Sequence, residues 1–400
     1  MPPTSLQLLA PSEEYRADTA DFLGKVFSAV GYYRVLKNYE NTVCTSYDER
    51  SSRIGLKDGQ IVTHCGVSRY TMRVGSARLC VAGIGGVGTR PDCRGRGYMS
   101  ETMRGVLEGV RDRGYDMSLL FGVEGMYGRY GYVRAWNETC CHVAYPDLPE
   151  NAQVSNLRRF VPAWRADLAA LYNRFHRAAT GSAVRSTQER GWFHPQPDAA
   201  GYLWTGRSRS PAGYVIAKVE GDVLNILDFT GDPLEILGAA RRVARMRSCR
   251  NLCFSCVSEA DPLTKLLRRG TCRLDVRCRR CGGAMVRTIN LAACLQKMAG
   301  ELSRRLAASP MCDWRGSLLV ADACDSVCLH IRNGSVRPGG AQSVKHALRG
   351  GPAIAQLLIG TDNPDEVIDA ARIRTSGDAA SLTKALFPRQ DPLLSPLDRF

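Results

Sequence analysis

The stretch Leu79-Cys-Val-Ala-Gly-Ile-Gly-Gly-Val-Gly-Thr-Arg-Pro-Asp-Cys-Arg-Gly-Arg-Gly-Tyr-Met99 constrains this chain more than any other. It opens as an apolar run interrupted by glycines, passes through a basic glycine loop, and enters a helical pattern at about Tyr98. Met99, Met103, Val106, Leu107 and Val110 share one helical face, and Gly114 stands where a C′ glycine would end the helix. Strand, loop and helix in that order aim free backbone N–H groups and the positive end of the helix dipole at one point. Gly95 and Gly97 leave room for close approach, and Arg90, Arg94 and Arg96 add cationic donors. The element reads as a diphosphate cradle. Its spacing is neither the Gly-Lys-Ser/Thr of a Walker loop nor the Gly-x-Gly-x-x-Gly of dinucleotide folds, so ATP and NAD lose ground as ligands.

Length and charge narrow the setting. A chain of 400 residues has room for two or three domains. No apolar run approaches the roughly 20 residues of a membrane span, and Met1-Pro-Pro-Thr-Ser-Leu lacks the basic start of a secretory signal, so the expected location is cytoplasmic. In that compartment the 16 cysteines are expected as reduced thiols, many of them small buried apolar groups. A net charge of +15 suits polyanionic partners, including a cofactor with three phosphate groups. Nucleic acid is not expected, because the arginines are dispersed and no nucleic-acid-binding motif accompanies them.

Punctuation divides the chain into three segments. Tyr145-Pro-Asp-Leu-Pro-Glu-Asn-Ala breaks the pattern after a strand-like run and places a linker there. A second, mixed segment follows, with Leu168, Leu171, Tyr172 and Phe175 at helical spacing and Gly213-Tyr-Val-Ile-Ala-Lys-Val as a strand. It closes near Met285-Val-Arg-Thr-Ile-Asn, and Leu291, Leu295, Met298 and Leu302 begin a third segment on a helix. There Gly316-Ser-Leu-Leu-Val-Ala-Asp and Ser326-Val-Cys-Leu-His-Ile-Arg read as strands, the latter running into an Asn333-Gly334 turn. The expected segments are 1–148, 149–290 and 291–400, and the expected class is α+β.

Three stretches carry a family resemblance. Arg94, Gly97 and Met99 stand at the defined positions of the acetyl-CoA motif of the GNAT superfamily, Gln/Arg-x-x-Gly-x-Gly/Ala, with Met99 departing at the last. Val123-Glu-Gly-Met-Tyr-Gly-Arg-Tyr-Gly-Tyr resembles the Ser-Glu-x-x-x-Tyr-x-Arg-Phe-Gly-Tyr signature of the Eis-like (enhanced intracellular survival) acetyltransferases, one residue shorter and with Val123 for Ser. The chain end, Ala385-Leu-Phe-Pro-Arg-Gln-Asp-Pro-Leu-Leu-Ser-Pro-Leu-Asp-Arg-Phe400, resembles the end of that family's third domain. The resemblance implies tandem GNAT-like mixed-sheet domains followed by a sterol-carrier-protein-like α/β domain.

It also implies roles. Tyr127 would be the general acid for the departing CoA thiolate, and the Phe400 carboxylate the general base. A phenol of pKa near 10 stays protonated at neutral pH and can give its proton to a thiolate of pKa about 8.5. Tyr130 and Tyr132 are expected to pack. Val87, Gly88 and Thr89 would present backbone groups to pantetheine, Gly95, Arg96, Gly97, Tyr98, Met99 and Ser100 would hold the diphosphate together with Arg94, and Val123 and Glu124 would line the next strand. The co-substrate implied is acetyl-CoA, and the acceptor a primary amine of aminoglycoside, polyamine or lysine type. Large homo-oligomers, trimer or hexamer, are implied as well.

No metal is expected. The pairs Cys253-x-x-Cys256 and Cys278-x-x-Cys281 have spacing near that of a zinc ribbon, but Asn251-Leu-Cys-Phe-Ser-Cys-Val reads as one strand, which sends residues three apart to opposite faces. Zinc at these cysteines stays open. The rival function is a non-catalytic acyl-CoA or lipid-binding protein, motivated by the departures at Met99 and Val123.

Overall fold

The computed structural model describes residues 6–27, 46–186, 198–206, 210–340 and 344–400. Along the chain the main elements begin with β1 (Gln7–Leu9), α1 (Arg16–Val26), β2 (Arg53–Lys57), β3 (Gln60–Val74), β4 (Ala77–Thr89), α2 (Tyr98–Asp112), β5 (Met117–Gly122), β6 (Val133–Arg134) and β7 (Glu138–Ala144). Then follow β8 (Arg158–Arg159), α3 (Arg165–Phe175), β9 (Ala199–Thr205), β10 (Pro211–Glu220), β11 (Val223–Thr230), α4 (Pro233–Met246), β12 (Asn251–Ser255), α5 (Pro262–Leu267), β13 (Arg273–Arg277) and β14 (Gly283–Thr288). The remainder is α6 (Leu291–Ala307), β15 (Gly316–Ala321), β16 (Ser326–Arg332), β17 (Ser335–Gly339), β18 (His346–Arg349), α7 (Ile354–Ile359), α8 (Pro364–Ala371), β19 (Arg374–Ser376) and α9 (Ala379–Leu386).

The chain divides into two compact units that are not consecutive stretches of sequence. Met1–Ala135, Arg280–Arg389 and Phe400 make the first, and Trp136–Arg279 with Gln390–Arg399 make the second. The first holds a sheet of order β1-β2-β3-β4-β5-β14-β6 and another of order β17-β16-β15-β18-β19. The second holds a sheet of order β13-β7-β12-β11-β10-β9-β8. All three are mixed, so the fold class is α+β, with GNAT-like mixed sheets in both units.

In the first unit the chemistry is framed by β3, β4, β5 and α2. The face of α2 expected to be apolar buries Met103, Val106 and Val110 against Cys65 and Val67 of β3 and Ala82 and Ile84 of β4. Burial of each such side chain contributes about 1.5–3 kcal/mol, which fixes the helix start relative to the strand it follows. Gly114 takes φ +71° and ends the helix as its position predicts.

In the second unit Leu168, Leu171 and Tyr172 of α3 pack on Leu203, Tyr214 and Ile216 of β9 and β10. Phe175, assigned by spacing to the same apolar stripe, is exposed and lies beneath the Arg174 guanidinium, because the helix ends with it and its face runs past the sheet. The Asn333-Gly334 turn forms as expected, both residues at positive φ between β16 and β17. The strand around Cys253 is shorter than its sequence suggests: β12 stops at Ser255, and Cys256 turns away at φ +54°.

Candidate active site

Strands β4 and β5 run parallel and pair only from Val81–Met117 to Ile84–Leu120. Beyond Ile84 the β5-facing edge of β4 is open, while its other edge stays paired with β3 through Gly66–Gly85, His64–Gly88 and Thr63–Thr89. Strand β5 is meanwhile held on its far side by β14 as far as Gly122–Gly283. The result is a wedge between two fixed strands. Val87, Gly88 and Thr89 line it on one side. Val123 and Glu124, directly after β5, are exposed at its other end, Val123 at 65%.

Arg94, Gly95, Arg96 and Gly97 follow β4 as an exposed loop into α2. Gly95 and Gly97 take φ +77° and +85°, and a Cβ on either would meet no atom within 4 Å. Their conformation, not crowding, requires glycine there. No side chain caps α2, so the amides of Tyr98 and Met99 carry no protein partner among the described residues. Tyr98, Met99 and Ser100 form the first turn, and Ser100 Oγ accepts from the Tyr130 hydroxyl at 3.0 Å. Of the three arginines expected to face a diphosphate, Arg90 is committed elsewhere: it donates to Asp92 at 2.7 Å and to Gln60 at 2.6 Å. Arg94 and Arg96 remain exposed at the loop.

Tyr127 lies beyond this turn, at the edge of the short 3-10 turn Gly128–Tyr130, and is only 6% exposed. Its ring covers Gly122, where a Cβ would sit 2.4 Å from Cδ2, and meets Tyr132 edge-on at 6.2 Å. Its hydroxyl has no hydrogen-bond partner among the described residues. Burial, with smaller contributions from Cys65 and Tyr130, pushes its pKa well above the ordinary tyrosine value. Tyr132 packs as expected and shares a 2.6 Å hydrogen bond with Ser118.

Phe400 belongs to this unit too. Its ring lies over Gly83, where a Cβ would come within 2.3 Å of Cδ1, and stacks obliquely with Tyr70 at 5.5 Å and Phe121 at 5.9 Å. A Cβ on Gly85 would be 2.8 Å from the Phe400 carboxyl carbon. The terminal carboxylate therefore sits at the first residue of β4 beyond the β4–β5 pairing, and no cation pairs with it among the described residues.

His64 is one of six histidines whose scatter along the sequence predicts satisfied or exposed side chains. It is buried; its Nδ1 lies 2.7 Å from the Gly86 carbonyl and its Nε2 2.9 Å from the Tyr47 hydroxyl. A carbonyl can only accept, so Nδ1 carries the proton and Tyr47 donates to Nε2. Burial lowers the His64 pKa to about 4, which keeps the ring neutral, and its bond to Gly86 lies where the β3–β4 register shifts, between the His64–Gly88 and Gly66–Gly85 pairs. Two other glycines of β4, Gly83 and Gly85, leave room for Phe400. Among the described residues no group of three His, Cys, Asp or Glu side chains is placed to hold a metal ion. Cys256 Sγ donates to the Leu394 carbonyl at 3.4 Å.

Residues 11–135 match the family model described as an acetyltransferase (GNAT) domain. That part of the chain is a GNAT acetyltransferase domain, and the chain as a whole has an Eis-like fold. Whole-chain structural similarity extends to a GCN5-related N-acetyltransferase from Kribbella flavida, 21% identical with a TM-score of 0.76 over 99% of this chain and 100% of that one. A GCN5-related N-acetyltransferase from Anabaena variabilis gives 16% and 0.79 over the same shares. Eis1 from Mycobacterium abscessus gives 15% and 0.67, also over 99% and 100%. At these identities the likeness is one of fold. No curated protein matches the sequence. GNAT domains use acetyl-CoA as co-substrate, and the open wedge and uncapped helix start of this one fit its pantetheine and diphosphate. No helix among the described residues is long and apolar enough to cross a membrane.

Proposed function

We propose that this acetyltransferase moves the acetyl group directly from acetyl-CoA to a primary amine, with Tyr127 as general acid and the Phe400 carboxylate as general base. The observation that carries the reading is the placement of both groups at the β4–β5 wedge: Phe400 against Gly83 and Gly85, Tyr127 against Gly122. Pantetheine would add as a strand to the open edge at Val87, Gly88 and Thr89, with Val123 and Glu124 opposite. The amides from Gly95 to Ser100, with Arg94 and Arg96, would hold the diphosphate.

The neutral amine attacks the thioester carbonyl, and the carboxylate takes the proton the nitrogen sheds. Collapse of the tetrahedral intermediate then expels the thiolate, which takes the Tyr127 proton. A phenol whose pKa burial has raised is a poor acid toward a thiolate in water. The leaving thiolate forms in the same apolar surroundings, however, and Cys65, in the same cluster, indicates their effect: burial pushes that thiol up to about 12. Desolvation raises donor and acceptor together, so the transfer stays within reach.

The acceptor is proposed to be of aminoglycoside, polyamine or lysine type. The same resemblance motivates a sterol-carrier-protein-like character for the part around β15–β19, a cytoplasmic location and a trimeric or hexameric assembly. The test is mass-spectrometric detection of acetylated product with acetyl-CoA and a panel of such amines, using protein with a free C-terminus. Two variants accompany it: Tyr127→Phe and a chain extended by three glycines after Phe400. Turnover is expected to fall in both while acetyl-CoA binding persists; undiminished turnover in both would refute the assigned roles.

A further inference from the structure

Strand β7 carries a thiol on each of its faces. Cys141 points into the apolar core with Val143, Leu252 and Phe254, and Cys272 packs against the same cluster. Cys140 and His142 share the opposite face, as residues two apart in a strand must. The register brings Cys253 of β12 opposite His142, and Asp275 of β13 opposite Cys140. Cys253 is therefore a diagonal neighbour of Cys140 on this face, and its thiol donates a hydrogen bond to the Cys140 sulfur. Cys253 Sγ also lies 3.9 Å from His142 Nε2, which in turn lies 3.2 Å from Asp275 Oδ2. All of these residues belong to the second unit.

The two thiol pairs differ in their surroundings. Burial, with Cys272 beside it, pushes the Cys141 thiol up and leaves it a small apolar group. At Cys140 the hydrogen bond from Cys253 outweighs burial and the carboxylates of Asp275 and Glu138. With Arg277 adding to it, that bond holds the Cys140 thiol below the ordinary cysteine value. The same contact, together with burial, holds Cys253 above that value, so Cys253 keeps its proton and acts as the donor. Exposure divides the pair in the same way: Cys140 is half-buried, whereas Cys253 is 6% exposed. A thiolate that is open to solvent on one side and touches a second thiol on the other is oxidised selectively, and its oxidation stops at a disulfide.

The geometry points to Cys140 and Cys253 as an oxidisable dithiol site for hydrogen peroxide, with Cys140 the attacking sulfur and Cys253 the resolving one. The Cys140 thiolate attacks one peroxide oxygen. An S–O bond forms, the O–O bond breaks, and hydroxide leaves to be protonated by solvent; the sulfur loses the two electrons the peroxide gains. His142, with Nε2 free in its Nδ1–H tautomer, then takes the Cys253 proton, and Asp275 steadies the imidazolium. The Cys253 sulfur attacks Cys140, the S–S bond forms, and the S–O bond breaks to release a second water. Two thiols and one hydrogen peroxide thus become one disulfide and two waters. Diagonal positions across an antiparallel pair lie about 7–8 Å apart, slightly beyond the usual disulfide span. The bond therefore closes with a small shift of β12, which ends two residues later at Ser255, and an added thiol reopens it readily.

The test uses the full chain, reduced and freed of reductant, and exposed to hydrogen peroxide at pH 6.5, where an ordinary thiol is only about 1% thiolate. Remaining thiols are alkylated at intervals, and peptide fragmentation separates Cys140 from Cys141 and Cys253 from Cys256. The wild type is expected to form the Cys140–Cys253 disulfide at least about threefold faster than the exposed Cys324 is oxidised. Cys141 should stay open to alkylation after unfolding, and dithiothreitol should restore both thiols. Cys253→Ser keeps a hydrogen-bond donor but lacks the resolving sulfur, so its Cys140 should accumulate as the dimedone adduct of a sulfenic acid. Oxidation of Cys140 no faster than of Cys324, or a disulfide through Cys141 in its place, would overturn the site. As much dimedone adduct at Cys140 in the wild type as in Cys253→Ser would overturn the resolving role. Should Cys253→Ser not fold, the wild type alone decides: Cys140 must stay nearly free of dimedone while the disulfide forms.

Discussion

The ring of Phe400 occupies the space a side chain on Gly83 would need: a Cβ there would lie 2.3–2.5 Å from three ring atoms. No methyl group fits at that distance, so Gly83→Ala must displace the ring or push β4 out of line, at about 1–3 kcal/mol if the strand yields. The strand is held on both sides at this position, by Ser68 of β3 and Leu119 of β5, so the ring is expected to move. Gly83→Ala should therefore keep its acetyl-CoA affinity within a few-fold while losing on the order of 10²-fold in kcat. Calorimetric titration with CoA beside steady-state rates checks this, and wild-type kcat would show that Phe400 need not lie over Gly83.

Much of this frame was legible in the sequence because it is local. The α2 start at Tyr98, the glycine loop, the C′ glycine at Gly114 and the Asn333-Gly334 turn are each set by residues within a few positions. Pairing across long separations was not legible: nothing in Gly283–Thr288 says that it joins Met117–Gly122, or that Glu138–Ala144 lies between Asn251–Ser255 and Arg273–Arg277. The same limit hid part of the site. Gly83 and Gly85 read as parts of a cofactor strand, and only the fold shows that Phe400, more than 300 residues later, fills the space they leave. His64 gave no signal because its partners, Tyr47 and Gly86, are distant in sequence.

Gly97 separates conformation from space. At φ +85° with open space around it, alanine would clash with nothing yet would strain the backbone by roughly 1 kcal/mol. If the backbone relaxes, the amides at the start of α2 turn away from the diphosphate. Gly97→Ala is expected to weaken CoA binding about tenfold and to leave the binding of dephosphorylated pantetheine unaffected. An equal loss for both ligands would place the cradle elsewhere.

His64 ties stability to pH. Its folded pKa of about 4 lies below the ordinary value of 6.5, so between these the unfolded chain binds the proton and the folded one does not. The contribution is complete above pH 6.5 and is lost as pH falls towards 4, amounting to about 3 kcal/mol. Urea midpoints at pH 7.5 and 4.5 should therefore differ more in wild type than in His64→Gln, whose side chain can still donate to the Gly86 carbonyl but does not titrate. Equal differences would mean that His64 protonates without strain.

Tyr127 makes the sharpest statement about the rate profile. An ordinary tyrosine acid would lose its proton near pH 10 and bring the rate down with it, but burial holds this phenol protonated well beyond that point. The acceptor amine must be neutral to attack, and a lysine-type amine has a pKa near 10.4. Log kcat/KM for such an amine is therefore expected to climb with a slope of about one through the alkaline range and to show no descending limb by pH 10. In Tyr127→Phe the profile should keep that shape and sit about 10²-fold lower or more, because the acid is removed while the amine still titrates. A descending limb below pH 10 in the wild type that vanishes in Tyr127→Phe would mean the phenol ionises normally, and that the pocket is wetter than its burial indicates.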